Sequence, residues 1–512
     1  MRILLFLFFV GQSTFSLRAQ KVLNTGFEMG THPPNPSPKS WQYTRSTSNG
    51  KENHEVIAGY AIDLDKKVRH SGQSSLKMSV ADSNSFIVAC TQSIPITIAT
   101  PATIHISIWI KTRDCPLGAG LNCTQKNIEG KQIAYTSSRQ QDVLVKNTQD
   151  WTKREITVLL RPDTKSLDLW ASFYGKGTVW FDDVSITKAL PADKTSPLVS
   201  AYVDTVVKMV KAYSLYKDSI NWKTFSPQLK TLSMGMQTYA HARLLTSYIV
   251  NELHIHGDNH SFLMNPAAVK QFGQADIQGR GRVVEGEYLG EGIGYIAMPG
   301  FASMNDSIRD AFATNTQVVI RKLDAENSIC GWIVDMRGDD GGSCPPMIAG
   351  LGPILGEGLC GRDISIKKDS VFSYYKDGAY YEVEKGIVVK ESVCRSLQPY
   401  KLRNGNVPVA VLIGKGCGSS GEATVAVFIG REKTKLFGEP TAGFTKGNED
   451  FVLPDSSMLF LSAGIQTDRN GKSYPDRIYP DVPVEQPKDS DKDAVLEKAK
   501  EWLKSVEGCR NK

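Results

Sequence analysis

Three regimes of hydrophobic and polar spacing follow one another along the chain. From residue 21 to 189, apolar and polar positions alternate in short runs rich in β-branched and aromatic side chains, with Gly, Pro, Asn, Asp and Ser between the runs. A period of two between turn formers predicts strands, here at 74–80, 102–110, 154–160, 166–173 and 178–186. After a proline-bounded linker at 191–197, apolar residues recur at helical spacing over 198–213 and again over 229–253. Beyond residue 281 fully apolar runs alternate with amphipathic ones. Strands are predicted at 292–297, 333–336, 409–413 and 436–438, and a helix at 422–430, the alternation of an α/β layered domain. The pattern therefore divides the chain into an all-β sandwich (21–189), a helical subdomain (198–275), an α/β domain (281–485) and a tail (486–512) with a charged amphipathic helix at 491–504.

Composition adds limits to this picture. A chain of 512 residues, 41% hydrophobic and 22% charged, is long enough for several cores and has the balance of a soluble globular protein. The net charge of +6 is spread along the sequence, so no nucleic acid partner is expected. Residues 1–20 run from Arg2 through the apolar stretch 3–10 to a polar segment ending Ala19-Gln20, the layout of a secretory signal peptide. No later apolar run approaches the roughly 18 residues of a membrane span, so the mature chain is expected to be exported, periplasmic or secreted. Nine cysteines are an odd number, which leaves at least one unpaired within the chain. Cys115 and Cys123 are close enough to close a small loop, or both are free buried thiols. Neither Cys nor His falls at the spacing of a zinc site, so no metal and no cofactor are expected.

The candidate chemistry lies in two strand-to-turn segments. The apolar run 409–413 leads into Gly414-Lys415-Gly416-Cys417-Gly418-Ser419-Ser420-Gly421-Glu422 and then a helix. A serine at a helix start stands among unpaired N–H groups, where the helix dipole favours negative charge, as an acyl-transfer nucleophile requires. The same position also suits a serine that only caps the helix. The second segment, Gly331-Trp332-Ile333-Val334-Asp335-Met336-Arg337-Gly338-Asp339-Asp340-Gly341-Gly342, is an apolar strand running into paired glycines whose amides could hold an oxyanion.

Together these segments resemble the tail-specific, C-terminal-processing proteases of peptidase family S41. The second segment is similar to the family's D-L-R-x-N-x-G-G element, the Ser419 segment to its S-A-S-x-E nucleophile, and Phe437-Gly438-Glu439-Pro440-Thr441 to the G-E-x-T strand that follows. Ile293-Gly294-Tyr295-Ile296 and Tyr479-Pro480-Asp481-Val482 resemble two further landmarks, so the resemblance spans about 198–485. It implies a crotonase-like (ClpP/crotonase) α/β fold, a protein or peptide substrate, Ser419 as nucleophile, and an oxyanion site from the amides of Ser420 and of Gly341 or Gly342. Glu422 is then structural. For the general base the family offers two solutions. Thr445-Lys446-Gly447 is similar to the G-K-G lysine segment, but two extra residues separate Thr441 from Lys446. Gly257-Asp258-Asn259-His260-Ser261-Phe262 resembles the D-x-H-S element of the tricorn-like branch. His260 is preferred, because an imidazole accepts a proton near neutral pH without desolvation and a lysine does not. The resemblance also implies an acid orienting that histidine, for which Asp476 is the nearest candidate. The sequence shows no PDZ-like segment before Gly281.

The first region resembles the galactose-binding-like jelly rolls that accompany exported hydrolases. The resemblance rests on Asn24-Thr25-Gly26-Phe27-Glu28, His70-Ser71-Gly72 and Val179-Trp180-Phe181-Asp182-Asp183-Val184. Carbohydrate is thus a candidate second partner, with Trp41, Trp109, Trp151, Trp170 and Trp180 as candidate contacts. Beside the serine peptidase stand two alternatives, a binding protein that keeps a protease fold without activity and a carbohydrate-attachment protein acting through the sandwich.

Overall fold

The computed structural model describes residues 18–19, 23–29, 40–47, 60–81, 86–188, 194–271, 283–303, 305–366, 369–485, 492–506 and 509. The signal segment, apart from 18–19, and residues 191–193 of the linker lie outside the described residues. The chain is β-rich and forms two compact units, one of residues 1–206 with 220–255, the other of 207–219 with 256–512. The helical stretch expected at 198–275 is therefore divided between them.

In the first unit the predicted strands are present as Ser75–Val80, Ala102–Lys126, Val145–Leu160, Ser166–Tyr174 and Gly177–Lys188. Ile104, Ile106, Ile108 and Ile110 are fully buried, the inward stripe that the alternation foretold. Their strand runs on to Lys126 because its two halves take different neighbours. Its first half pairs with Gly177–Lys188, and its second half, from Ala119, pairs with Ser166–Tyr174. The three quoted motifs meet in space. Glu28 accepts from the amides of Gln73 and Ser74, and Asp182 from those of His70 and Ser71. Gly72 has φ +57°, and a Cβ there would fall 1.6 Å from the Glu28 carboxylate, so the turn requires glycine. Trp41 and Trp180 are buried, while Trp109, Trp151 and Trp170 are half-buried. Cys115 and Cys123 are separate buried thiols; the disulfide of the chain joins Cys330 to Cys509. The periodic stretch 229–253 is broken into the helices Trp222–Leu232 and Tyr239–Ile255, with Gly235 at φ +77° between them.

The second unit holds two sheets. A six-stranded sheet runs Glu285–Tyr288, Ile293–Ala297, Gly331–Asp335, Val409–Ile413, Thr434–Gly438, Val482–Pro483, and is parallel from its second strand onward. Its central strands are apolar, save Asp335 at the end of one, because both faces are covered. Trp332, Val334, Val409 and Val411 pack beneath the helices Asp306–Glu326 and Cys344–Leu355. On the opposite face Ile333, Ala410 and Leu412 meet Val495, Ala499 and Leu503 of the terminal helix Ala494–Ser505. An antiparallel sheet follows the order Phe262–Met264, Met458–Thr467, Gly358–Ser365, Ser370–Lys376, Ala379–Glu384, Ile387–Arg395, with Lys446–Val452 on the remaining edge of Met458–Thr467. Among the described residues no helix is long and apolar enough to cross a membrane.

Candidate active site

The strands Gly331–Asp335 and Val409–Ile413 lie side by side and parallel, Trp332 opposite Val409 and Asp335 opposite Leu412. Their turns consequently emerge at the same sheet edge, the C-terminal one, where open parallel sheets place their ligands. In the first turn Gly341 and Gly342 take φ +106° and +123°. A Cβ on Gly342 would stand 2.1 Å from the Phe301 carbonyl oxygen, and one on Gly341 2.9 Å from Cβ of Ser419. Only glycine lets the two turns approach this closely. Buried Asp339 accepts from the Gly341 amide at 3.0 Å, and its own carbonyl accepts from the Gly418 amide at 3.0 Å. Ser420 Oγ adds a bond of 2.9 Å to the Gly342 carbonyl.

Ser419 is held at φ +54°, ψ −118°, a conformation that L-residues rarely adopt. Glu422 supplies the restraint. Its buried carboxylate accepts from the amides of Ser419 (3.1 Å), Gly443 (2.9 Å) and Phe444 (2.6 Å), and from the Thr441 hydroxyl. A carboxylate removed from water is tolerable only when its oxygens are satisfied in this way.

The Ser419 hydroxyl lies 2.9 Å from Nε2 of His260, whose Nδ1 lies 2.8 Å from the main-chain carbonyl of Lys446. A carbonyl can only accept, so Nδ1 carries the proton and Nε2 is left to accept from the serine. The backbone of His260 is fixed by Asp258, whose carboxylate accepts from the amides of His260 and Ser261, both at 2.9 Å, and from the Ser261 and Ser462 hydroxyls. Asn448 donates to the His260 carbonyl at 3.1 Å. Burial pushes the His260 pKa below its ordinary value, against the opposing pull of the Lys446 carbonyl and the Asp258 charge. The site therefore presents a neutral imidazole to a seryl hydroxyl.

Among the described residues the amides of Ser420 and Gly342 have no hydrogen-bond acceptor, whereas that of Gly341 is taken by Asp339. Of the residues singled out in the sequence, Ser419, Ser420, His260, Gly341 and Gly342 gather at one place. Lys446 reaches it through its carbonyl alone. Its ammonium donates to the Pro475 carbonyl, and burial pushes its pKa down. Asp476 accepts instead from the Tyr479 hydroxyl at 2.8 Å, a bond that holds its carboxyl below the usual range. Asn448, Ser462 and Phe444 were not singled out. All three lie in or beside strands of mixed pattern and come to the site through pairing with distant segments, which leaves no local signal.

A serine and a neutral imidazole at bonding distance, facing unengaged amides at the carboxyl edge of a parallel sheet, define a serine-protease type of centre. Comparison with known proteins points to the same class. Residues 292–484 match the model of peptidase family S41. The nisin-resistance protein of Lactococcus lactis subsp. lactis is 26% identical over 313 residues, which cover 60% of this chain and 88% of that protein. A lipoprotein structure from Streptococcus agalactiae aligns with TM-score 0.48 at 24% identity, covering 62% of this chain and 98% of that one. The photosystem II D1 C-terminal processing protease aligns with TM-score 0.38 at 13% identity over 57% of this chain and 94% of its own.

Proposed function

We propose that the protein is an exported serine endopeptidase in which Ser419 attacks the peptide carbonyl and His260 is the general base. The observation that carries this reading is the 2.9 Å contact between the Ser419 hydroxyl and Nε2 of His260, with Nδ1 engaged by a carbonyl. As the hydroxyl adds to the carbonyl carbon, its proton passes to Nε2, and the oxyanion takes the amides of Ser420 and Gly342. The imidazolium returns the proton to the amine as the C–N bond breaks. Water, deprotonated by the same imidazole, then hydrolyses the acyl-enzyme. The third member of the relay is the Lys446 carbonyl rather than a carboxylate. It fixes the tautomer of His260 but does not neutralise the imidazolium. A parallel sheet between helix layers supports the crotonase-like assignment. Export is supported by the signal layout at 1–20 and by the Cys330–Cys509 disulfide, a bond that persists in oxidising compartments.

The test is Ser419→Ala, assayed by mapping cleavage in a mixed peptide library. Hydrolysis should fall by roughly 1,000-fold or more while the melting temperature is kept, and a fluorophosphonate should label the parent chain at Ser419 and leave the variant unlabelled. Turnover retained by the variant would reject the assignment.

A further inference from the structure

Phe444 stands at the centre of the site yet is 38% exposed. Its ring lies against the His260 imidazole, centroids 5.5 Å apart and planes at 29°. A Cβ built on Gly418, the residue before the nucleophile, would come 3.2 Å from the same ring, so the aromatic face spans from the base to the nucleophile turn. Its backbone is firmly held. The amides of Gly443 and Phe444 both donate to Glu422, and the Gly443 carbonyl accepts from Asn259. Gly443 sits at φ +98°, where a Cβ would stand 2.9 Å from the Asp476 carbonyl oxygen. A large apolar surface is thus presented beside the reacting atoms on a fixed backbone, only partly covered by the protein itself.

The chemistry says which part of a substrate would cover it. In the reading given above, His260 delivers its proton to the departing amine, so that nitrogen must lie at Nε2. The side chain of the residue beginning at that nitrogen branches next to the imidazole and hence next to Phe444. We propose that Phe444 forms the wall of the subsite for the residue immediately after the scissile bond, and that the substrates are peptides with an aliphatic or aromatic side chain at that place. An apolar side chain removes its own surface and the ring's from water together. A charged one would give up hydration against a ring that offers it no hydrogen bond.

The proposal depends on the Ser419–His260 reading, and its test separates the two. Cleavage sites mapped in a peptide library by the full-length chain should be enriched in Leu, Ile, Phe or Met directly after the cut bond. In matched peptides differing only there, Leu should exceed Ser in kcat/KM by roughly tenfold. Phe444→Ala should bring that ratio close to one, and Phe444→Tyr, which keeps the ring, should preserve it. Indifference of the parent enzyme at this position would overturn the proposal. So would equal slowing of both peptides in Phe444→Ala, since the ring would then only steady the imidazole, and so would a change in preference confined to the residue before the bond. Absence of cleavage of any peptide by the parent chain would instead reject the peptidase reading, and this inference with it.

Discussion

At the scale of single residues the proposed mechanism turns on which group takes the proton from Ser419. Burial pushes the His260 pKa below the ordinary 6.5, which favours the neutral imidazole. The profile of kcat/KM against pH should therefore lose activity only on the acid side, with a midpoint below 6.5. A lysine base would instead make that limb follow the Lys446 ammonium, whose pKa burial lowers from its ordinary value. His260→Ala should fall to about the level of Ser419→Ala, whereas Lys446→Ala, which leaves the carbonyl in place, should lose less than roughly tenfold. The shift carries a sign for stability as well. A histidine with a lowered folded pKa binds its proton better when unfolded, so its contribution is lost as pH falls below 6.5 towards the folded value. Urea midpoints of the parent and His260→Ala across that interval would show it.

At the scale of elements the nucleophile turn and the segment 441–446 are a coupled pair, joined by Glu422. The same carboxylate that restrains Ser419 at positive φ also anchors Gly443 and Phe444, and two residues further on the chain presents the Lys446 carbonyl to His260. Removing Glu422 leaves several buried donors unsatisfied, at about 1–3 kcal/mol each. Glu422→Ala should destabilise the protein by about 3–5 kcal/mol, measured as a lower denaturant midpoint, and should reduce kcat/KM beyond what the folded fraction explains. Glu422→Gln, which retains a carbonyl acceptor, should lose less in both. The legibility of these elements in the sequence was uneven, for a physical reason. Val409–Ile413 is buried on both faces and reads as an unbroken apolar run, so its bounds were predicted as observed. Lys446–Val452 is an edge strand of mixed burial, and its pattern, Lys-Gly-Asn-Glu-Asp-Phe-Val, carries no period of two. The antiparallel strands from 358 to 395 were not predicted either.

At the scale of the whole molecule the sequence order of the parts is not their grouping. Residues 220–255 gather with the N-terminal β-unit, and the buried ion pair of Arg161 with Glu252, at 2.7 Å, shows one source of that preference. In the other unit the last helix returns over the six-stranded sheet and is fastened twice. Arg337 bridges Asp335 and the helix-capping Asp493, and Cys330 is bonded to Cys509 across 179 residues of sequence. A cross-link over so long a loop restricts the unfolded chain, typically by about 2–4 kcal/mol. The paired substitution Cys330→Ser with Cys509→Ser should lower the stability of the full chain by that amount in urea unfolding. An unchanged midpoint would mean that apolar packing holds the helix alone.

The sequence by itself determined what is local. Alternating isoleucines made the strands, a fully apolar run made the central strand of the parallel sheet, and glycines placed the two turns where Cβ atoms would collide. It also singled out Ser419 and His260, whose motifs are contiguous and whose side chains the fold brings within 2.9 Å. Only the tertiary structure decided how the His260 imidazole is oriented, through the Lys446 carbonyl with Asp476 turned to Tyr479, and which side chains flank it. Main-chain carbonyls are chemically alike at every position, and an edge strand has no pattern of its own. Which carbonyl meets an imidazole 186 residues away is therefore set by strand register and by the packing of the folded unit.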